Sequence, residues 1–129
     1  MADRSILVIE DEANLRGILR DSLASEGYKV YEAKNGEQGL ALALSERPDL
    51  ILLDIVLPGM DGLAVLNEIR KEENWGQNAK VVMLTNLSDS RSVADCLELG
   101  AHSFLVKADW TIEGILSMIH DELKDLPSQ

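Results

Sequence analysis

Residues 48–62 read Pro-Asp-Leu-Ile-Leu-Leu-Asp-Ile-Val-Leu-Pro-Gly-Met-Asp-Gly. The four apolar residues Leu50–Leu53 form a run too short for an ordinary helix, and unbroken runs of this length are typical of strands covered on both faces. Asp54 follows the run directly, and the proline and glycine residues after it indicate a loop. The stretch therefore predicts a buried parallel strand that ends in a carboxylate.

Similar short runs recur on both sides of this strand, with helical spacing between them. The other predicted strands are Ile6–Ile9, Lys29–Ala33, Lys80–Leu84 and Ser103–Val106. Apolar stripes predict helices after the strands, the first on Leu15, Ile18, Leu19 and Leu23 and the last on Ile112, Ile115, Leu116, Ile119, Leu123 and Leu126. Gly39 makes the second helix the least regular. The alternation predicts an α/β fold, a doubly wound (βα)5 parallel sheet of five strands.

Length and charge restrict the function further. The chain has 129 residues and a formal net charge of −11, from 12 basic and 23 acidic residues. We expect one domain over residues 1–126, with residues 127–129 as a tail or linker stub. The acidic surface disfavours direct binding to nucleic acid or an anionic membrane, and it is compatible with a bound cation.

The cellular compartment is also an expectation from composition. The single cysteine, Cys96, excludes a disulfide within the chain. No signal peptide is recognisable, and no apolar segment approaches the ~20 residues of a membrane-spanning helix. We therefore expect a cytoplasmic protein.

Polar residues stand where the predicted strands end. Because ligands of open α/β sheets bind at the carboxyl edge of the strands, these residues are the candidate site: Glu10, Asp11, Asp54, Thr85 and Lys107. Each has an ordinary explanation by itself, since Asp11 or Glu12 could cap a helix, Thr85 could be a plain strand residue and Lys107 a solvated one. Their joint placement on one edge favours a shared site.

The chemistry of this set suggests phosphoryl transfer. Carboxylates on one edge repel one another unless they share protons or a cation, and Mg²⁺ prefers oxygen ligands. An aspartate can accept a phosphoryl group covalently, while an ammonium and a hydroxyl group neutralise and orient the phosphoryl oxygens. Asp54, Lys107 and Thr85 are the candidates for these roles.

Four segments together resemble a known family. Residues 6–12 (Ile-Leu-Val-Ile-Glu-Asp-Glu), residues 48–62, residues 82–85 (Val-Met-Leu-Thr) and residues 104–107 (Phe-Leu-Val-Lys) are similar to the receiver domains of two-component response regulators. The resemblance covers about residues 5–123 and keeps the motifs in family order. It implies a flavodoxin-like strand order of 2-1-3-4-5.

The resemblance also implies a role for each acidic residue. Asp54 would accept a phosphoryl group from the phosphohistidine of a histidine kinase or a histidine phosphotransfer protein. Asp11 and Asp54 would bind Mg²⁺ directly, together with the backbone carbonyl group of Val56. Glu10 would act on the ion mainly through water.

A switch is implied as well. Lys107 would pair with the phosphoryl group, Thr85 would move toward it, and Phe104 would turn inward in response. The motion would alter the face formed by the fourth helix, the fifth strand and the fifth helix, which would bind an output protein or domain or support phosphorylation-dependent homodimers. The domain would catalyse only its own phosphorylation and dephosphorylation, so we do not expect a turnover enzyme.

Several positions depart from the common family pattern. Ala108 stands where most members have a proline joined by a cis peptide bond, so we expect a trans Lys107–Ala108 bond. Val56 and Leu87 are apolar where many members carry polar side chains that influence the hydrolytic water. We therefore expect a long-lived phosphoaspartate.

Two alternatives from other classes remain open. An aspartate-nucleophile phosphatase would also use a carboxylate at a strand end with Mg²⁺. The family pattern of such enzymes has a second aspartate two residues after the nucleophile, and Val56 occupies that position here. A degenerate receiver would act only as a protein-interaction module, which the presence of all five site side chains disfavours.

Overall fold

The computed structural model describes residues 4–85, 94, 98, 100–101, 103–106 and 111–124, with the backbone only at Thr85, Ser103, Phe104 and Val106. The strands are β1 (Ser5–Ile9), β2 (Lys29–Ala33), β3 (Leu50–Asp54), β4 (Lys80–Thr85) and β5 (Ser103–Val106). The helices are α1 (Ala13–Ser25), α2 (Gly36–Glu46), α3 (Gly62–Arg70) and a C-terminal helix (Ile112–Lys124). The (βα)5 pattern predicts the fourth helix between β4 and β5. Ala94 and Glu98 of this stretch are helical, and most of its other residues lie outside the described ones.

The five strands form one parallel sheet in the order β2-β1-β3-β4-β5. In the centre, Leu52 of β3 is in register with Val8 of β1 and Val82 of β4. The fold class and strand order predicted above are therefore confirmed. The order makes β1 and β3 direct neighbours, which matters for the site described below.

Helices cover both faces of the sheet, as the unbroken apolar strands predict. Because side chains alternate along a strand, Leu53 packs in one core cluster and Leu52 in the other. The first cluster includes residues of α2 and α3, and the second includes residues of α1 and the C-terminal helix. All five residues of β3 are buried.

One residue of the predicted apolar stripes does not face the core. Ile18 is 49% exposed, whereas Leu19 and Leu23 of the same helix are buried and Leu15 packs partly against them. The buried line of α1 follows the spacing of four residues, and Ile18 lies about 100° around the helix from Leu19. The prediction that Ile18 belongs to the core stripe was wrong for this reason.

The irregular second helix is explained by its packing. A Cβ atom at Gly39 would overlap the side chain of Ile9 in β1, so α2 lies against the sheet at a distance that only glycine permits. The residue that weakens the helical pattern in the sequence is the one that allows the helix to approach the sheet.

Some predictions fall on residues that are not described. These are the Lys107–Ala108 peptide bond, Leu87, Cys96, Leu126 and the segment 127–129. Among the helices of the described residues, none has the length and apolar character that crossing a bilayer requires.

Candidate functional site

The carboxyl edge of the sheet brings three predicted site residues together. Glu10 and Asp11 follow β1, and Asp54 is the last residue of the neighbouring strand β3. One carboxylate oxygen from each residue lies within 4.8 Å of the other two. The site is thus assembled from two chain segments that are distant in sequence.

The three carboxylates differ in their exposure to solvent. Glu10 and Asp54 are only 1% and 3% exposed, whereas Asp11 is exposed. Removing carboxylates from water is costly unless hydrogen bonds or opposite charge compensate for the lost solvation. The cluster therefore combines two buried acids with one that opens the group to solvent.

Backbone N–H groups orient the two buried side chains. The N–H of Glu12 donates to Glu10 Oε2 at 3.0 Å, and the N–H of Val56 donates to Asp54 Oδ1 at 3.1 Å. In each case the donor lies two residues after the acid, so the turn that ends the strand holds the carboxylate. Val56 itself is 68% exposed, beside Asp54.

The loop after Asp54 folds tightly back on the strand. The N–H of Gly62 donates to the carbonyl of Ile55 at 2.8 Å, and a Cβ atom at Gly62 would collide with the backbone of Asp54 and Ile55. Asp61 caps α3 by accepting from the N–H of Ala64 at 2.9 Å. This close return fixes the backbone that carries Asp54 and Val56.

Thr85 and Phe104 are placed by their backbones. Thr85 ends β4 and is in register with Val106 of β5, so both strands end at the same edge as the acidic cluster. Phe104 lies within β5 in register with Met83. The side chains of Thr85 and Phe104, and the whole of Lys107, lie outside what the structure describes.

The donor set fits a hard divalent cation. Three carboxylates supply oxygen atoms, which Mg²⁺ prefers, and their spacing allows one ion to be shared. The alternative role considered for Glu12, as a side-chain cap of α1, is not seen in the described residues. Glu12 occupies the N-cap of α1, but its side chain accepts no hydrogen bond from the described backbone of the first turn.

Two residues that contact the site loops were not predicted from the sequence. Arg16 Nη1 donates to the backbone carbonyl of Glu10 at 2.9 Å, and Glu37 Oε1 accepts from the N–H of Met60 at 3.2 Å. A charged residue on a predicted helix ordinarily indicates a solvated face. The sequence carries no local signal that these two side chains turn toward the strand-end loops.

The comparisons with known proteins agree with one another. The family model of the response regulator receiver domain matches residues 6–120. The chain is 34% identical over 107 residues to sporulation initiation phosphotransferase F of Bacillus subtilis, covering 83% of this chain and 84% of that protein. It is 41% identical over 103 residues to the transcriptional regulatory protein AfsQ1 of Streptomyces coelicolor, covering 80% and 44%. The chain spans about two fifths of the length of the transcriptional regulators that it matches.

Solved structures show the same architecture. A receiver domain protein from Methanospirillum hungatei is 27% identical with a TM-score of 0.88, and the match covers 96% of each chain. The chemotaxis protein CheY4 of Vibrio cholerae is 26% identical with a TM-score of 0.86, covering 95% of this chain and 100% of that one.

Proposed function

Because the chain belongs to the response regulator receiver family, we propose that Asp54 accepts a phosphoryl group from a phosphohistidine in a Mg²⁺-dependent reaction. The donor is a histidine kinase or a histidine phosphotransfer protein. The observation that carries the proposal is the meeting of Glu10, Asp11 and Asp54 at the carboxyl edge, with oxygen atoms within 4.8 Å of one another.

The transfer exchanges one bond to phosphorus for another. A carboxylate oxygen of Asp54 attacks the phosphorus atom, the P–N bond to the donor imidazole breaks, and its electron pair returns to the ring. The N–H of Val56 donates to Asp54 Oδ1, which orients the carboxylate for the attack. The burial of Asp54 supports this role, because a fixed and poorly solvated carboxylate needs little reorganisation before it attacks.

The residues that would hold the ion are Asp11 and Asp54 with the carbonyl group of Val56, while Glu10 would act through water. When bound, Mg²⁺ neutralises the phosphoryl oxygens and the carboxylates, which would otherwise repel each other. The exposure of Asp11 gives a cation access from solvent.

The remaining roles rest on the family resemblance and on the register of β4 and β5. Thr85 ends β4, and β5 ends one residue before Lys107 in the sequence, so both strands run to the edge that carries Asp54. Lys107 would bind the phosphoryl group, Thr85 would move toward it, and Phe104 would follow. The face formed by the predicted fourth helix, β5 and the C-terminal helix would then bind an output protein or domain, or a second copy of the chain.

The chain would act as a switch in the cytoplasm and not as a turnover enzyme. The name of the Bacillus subtilis relative, a phosphotransferase, supports participation in phosphoryl transfer. Val56 has no proton to give to a leaving group, which disfavours the phosphatase alternative. We propose no direct contact with nucleic acid, because the net charge of −11 repels phosphate.

Phosphotransfer profiling tests the proposal. The wild type and Asp54→Asn are incubated with a panel of autophosphorylated histidine kinases, with MgCl₂ or with EDTA, and separated on phosphate-affinity gels. We expect one or more kinases to label the wild type in MgCl₂ alone and to leave Asp54→Asn unlabelled. If no kinase and no small phosphodonor labels the wild type, the degenerate receiver is the correct alternative. Sustained release of phosphate from a generic phosphate ester would support the phosphatase.

A further inference from the structure

We infer that Arg16 is a positioning residue for the cation site, because its guanidinium fixes the loop that carries Glu10 and Asp11. The inference rests on the proposed function, since it concerns Mg²⁺ binding at the same carboxylates. It assigns a role to a cation that is not part of the acidic cluster and that the sequence pattern does not single out.

The first step is the contact itself. Arg16 lies in the first turns of α1, and its Nη1 donates to the backbone carbonyl of Glu10 at 2.9 Å. Its Nε lies 3.5 Å from Oε1 of Glu32 in β2, and its side chain is 19% exposed. The guanidinium therefore links β2, through Glu32, to the end of β1, through the carbonyl of Glu10.

The second step is the particular peptide group that Arg16 binds. The carbonyl of Glu10 belongs to the peptide unit that joins Glu10 to Asp11, and this unit is planar. Fixing its oxygen restricts the backbone rotation between the two acids. The N–H of Glu10 is fixed as well, because it donates to the carbonyl of Ala33 in β2 at 3.1 Å. Arg16 thus controls the direction in which both carboxylates leave the loop.

The third step separates this role from that of an ordinary positive charge. A cation near the cluster repels Mg²⁺, so removing its charge should tighten Mg²⁺ binding if charge alone mattered. If Arg16 positions the loop, its removal should instead weaken Mg²⁺ binding. Loss of a residue that orients metal ligands typically lowers the affinity ~10–100-fold. The two explanations predict changes of opposite sign.

Arg20 provides a matched control. Its Nη1 lies 3.3 Å from the same oxygen of Glu32 and its Nε pairs with Asp21 at 2.9 Å, but its side chain is 45% exposed. None of the described contacts joins Arg20 to the loop of Glu10 and Asp11. Replacing Arg20 removes the same charge from the same network and leaves the loop contact intact.

The experiment is a titration of the unphosphorylated full chain with MgCl₂, read by calorimetry and by the amide resonances of Asp11 and Val56. We expect Arg16→Gln to bind Mg²⁺ roughly tenfold more weakly than the wild type. Arg16→Lys, which keeps a donor, should recover part of the affinity, and Arg20→Gln should match or slightly exceed the wild type. Arg16→Met keeps the aliphatic stem and serves the same purpose as Arg16→Gln if the glutamine variant does not fold.

The outcomes distinguish the inference from the function on which it rests. Wild-type affinity or tighter binding in Arg16→Gln or Arg16→Met would overturn the positioning role, as would an equal loss in Arg20→Gln. A wild type that binds no Mg²⁺ would overturn the proposed function itself. A loss confined to the Arg16 variants, in protein that urea denaturation shows to be folded, supports the inference.

Discussion

Replacing Asp54 by asparagine should stabilise the folded chain when no divalent cation is present. The carboxylate oxygens of Glu10, Asp11 and Asp54 lie within 4.8 Å of one another, so Asp54 contributes to two repulsive pairs. The unfolded chain separates these charges. Asparagine keeps Oδ1 as an acceptor for the N–H of Val56, so the substitution removes the repulsion and preserves this hydrogen bond.

The size of the effect follows from this spacing. Two unit charges 4.8 Å apart repel by about 0.9 kcal/mol in water and by about 3.5 kcal/mol at an effective dielectric constant of ~20. Asp11 is exposed and lies near the lower value, while Glu10 is buried. Because part of this energy is screened and relaxed, we expect a gain of about 1–3 kcal/mol in the free energy of unfolding.

Urea denaturation at neutral pH measures this gain, first in EDTA and then in MgCl₂. Mg²⁺ at a hundredfold excess over its Kd should stabilise the wild type by about 2.7 kcal/mol. Mg²⁺ should stabilise Asp54→Asn less than the wild type, because the variant has lost a charged ligand. The difference in stability between the two proteins should therefore shrink or reverse when Mg²⁺ is added.

Asp61→Asn is the control, because it makes the same change of charge seven positions further on. Asparagine at this position still accepts the hydrogen bond from the N–H of Ala64. The free energy of unfolding of Asp61→Asn should therefore stay within about 0.5 kcal/mol of the wild-type value in both buffers. The repulsion argument fails if Asp54→Asn is no more stable than Asp61→Asn in EDTA, or if Mg²⁺ stabilises all three proteins equally.

Three further predictions concern the C-cap of α2, the half-buried carboxylate of Glu72 and the phosphorylated state. Arg47→Gly should stabilise the fold by about 0.5–1 kcal/mol in urea, because Arg47 has a left-handed backbone with φ of 46°; a loss of stability would contradict this. Backbone N–H groups of the following loop lower the pKa of Glu72 below its usual 4.5, so its contribution to stability is present above that value and disappears as the pH falls through the folded pKa. NMR titration checks this, and a pKa at or above the usual value would contradict it. Phosphorylated Asp54 should decay slowly, because exposed Val56 cannot orient water for hydrolysis, and a half-life of seconds would refute this.

The sequence predicts the fold well because one simple constraint acts on every residue of a buried strand. Both faces of β3 are covered, so the whole run Leu50–Leu53 is apolar and can be recognised without knowing its partners. The helices obey a weaker constraint, since only part of each surface is buried. Ile18 lies at the margin of its stripe, and only the packed structure shows that it is 49% exposed.

Contacts between a helix and a loop could not be predicted in the same way. Arg16 and Glu37 are charged residues on helices, and nothing in their neighbours indicates that their side chains reach the backbone of Glu10 and Met60. These contacts depend on the angle and distance at which α1 and α2 pack. Gly39 shows how finely that distance is set, because a single Cβ atom at this position would overlap Ile9.

The site itself was predicted in two parts that depend on different information. The sequence pattern indicates that Glu10, Asp11 and Asp54 stand at the ends of parallel strands. This places them on one edge of the sheet but does not give the distances between them. Whether they meet depends on the strand order, because neighbouring strands lie about 4.8 Å apart and strands separated by one other lie roughly 10 Å apart. In the order β2-β1-β3 the two acidic strands are neighbours, and their carboxylates come within 4.8 Å. An order with β2 between them would leave the same residues too far apart to share one ion. The family resemblance supplied this order, and composition and periodicity alone did not.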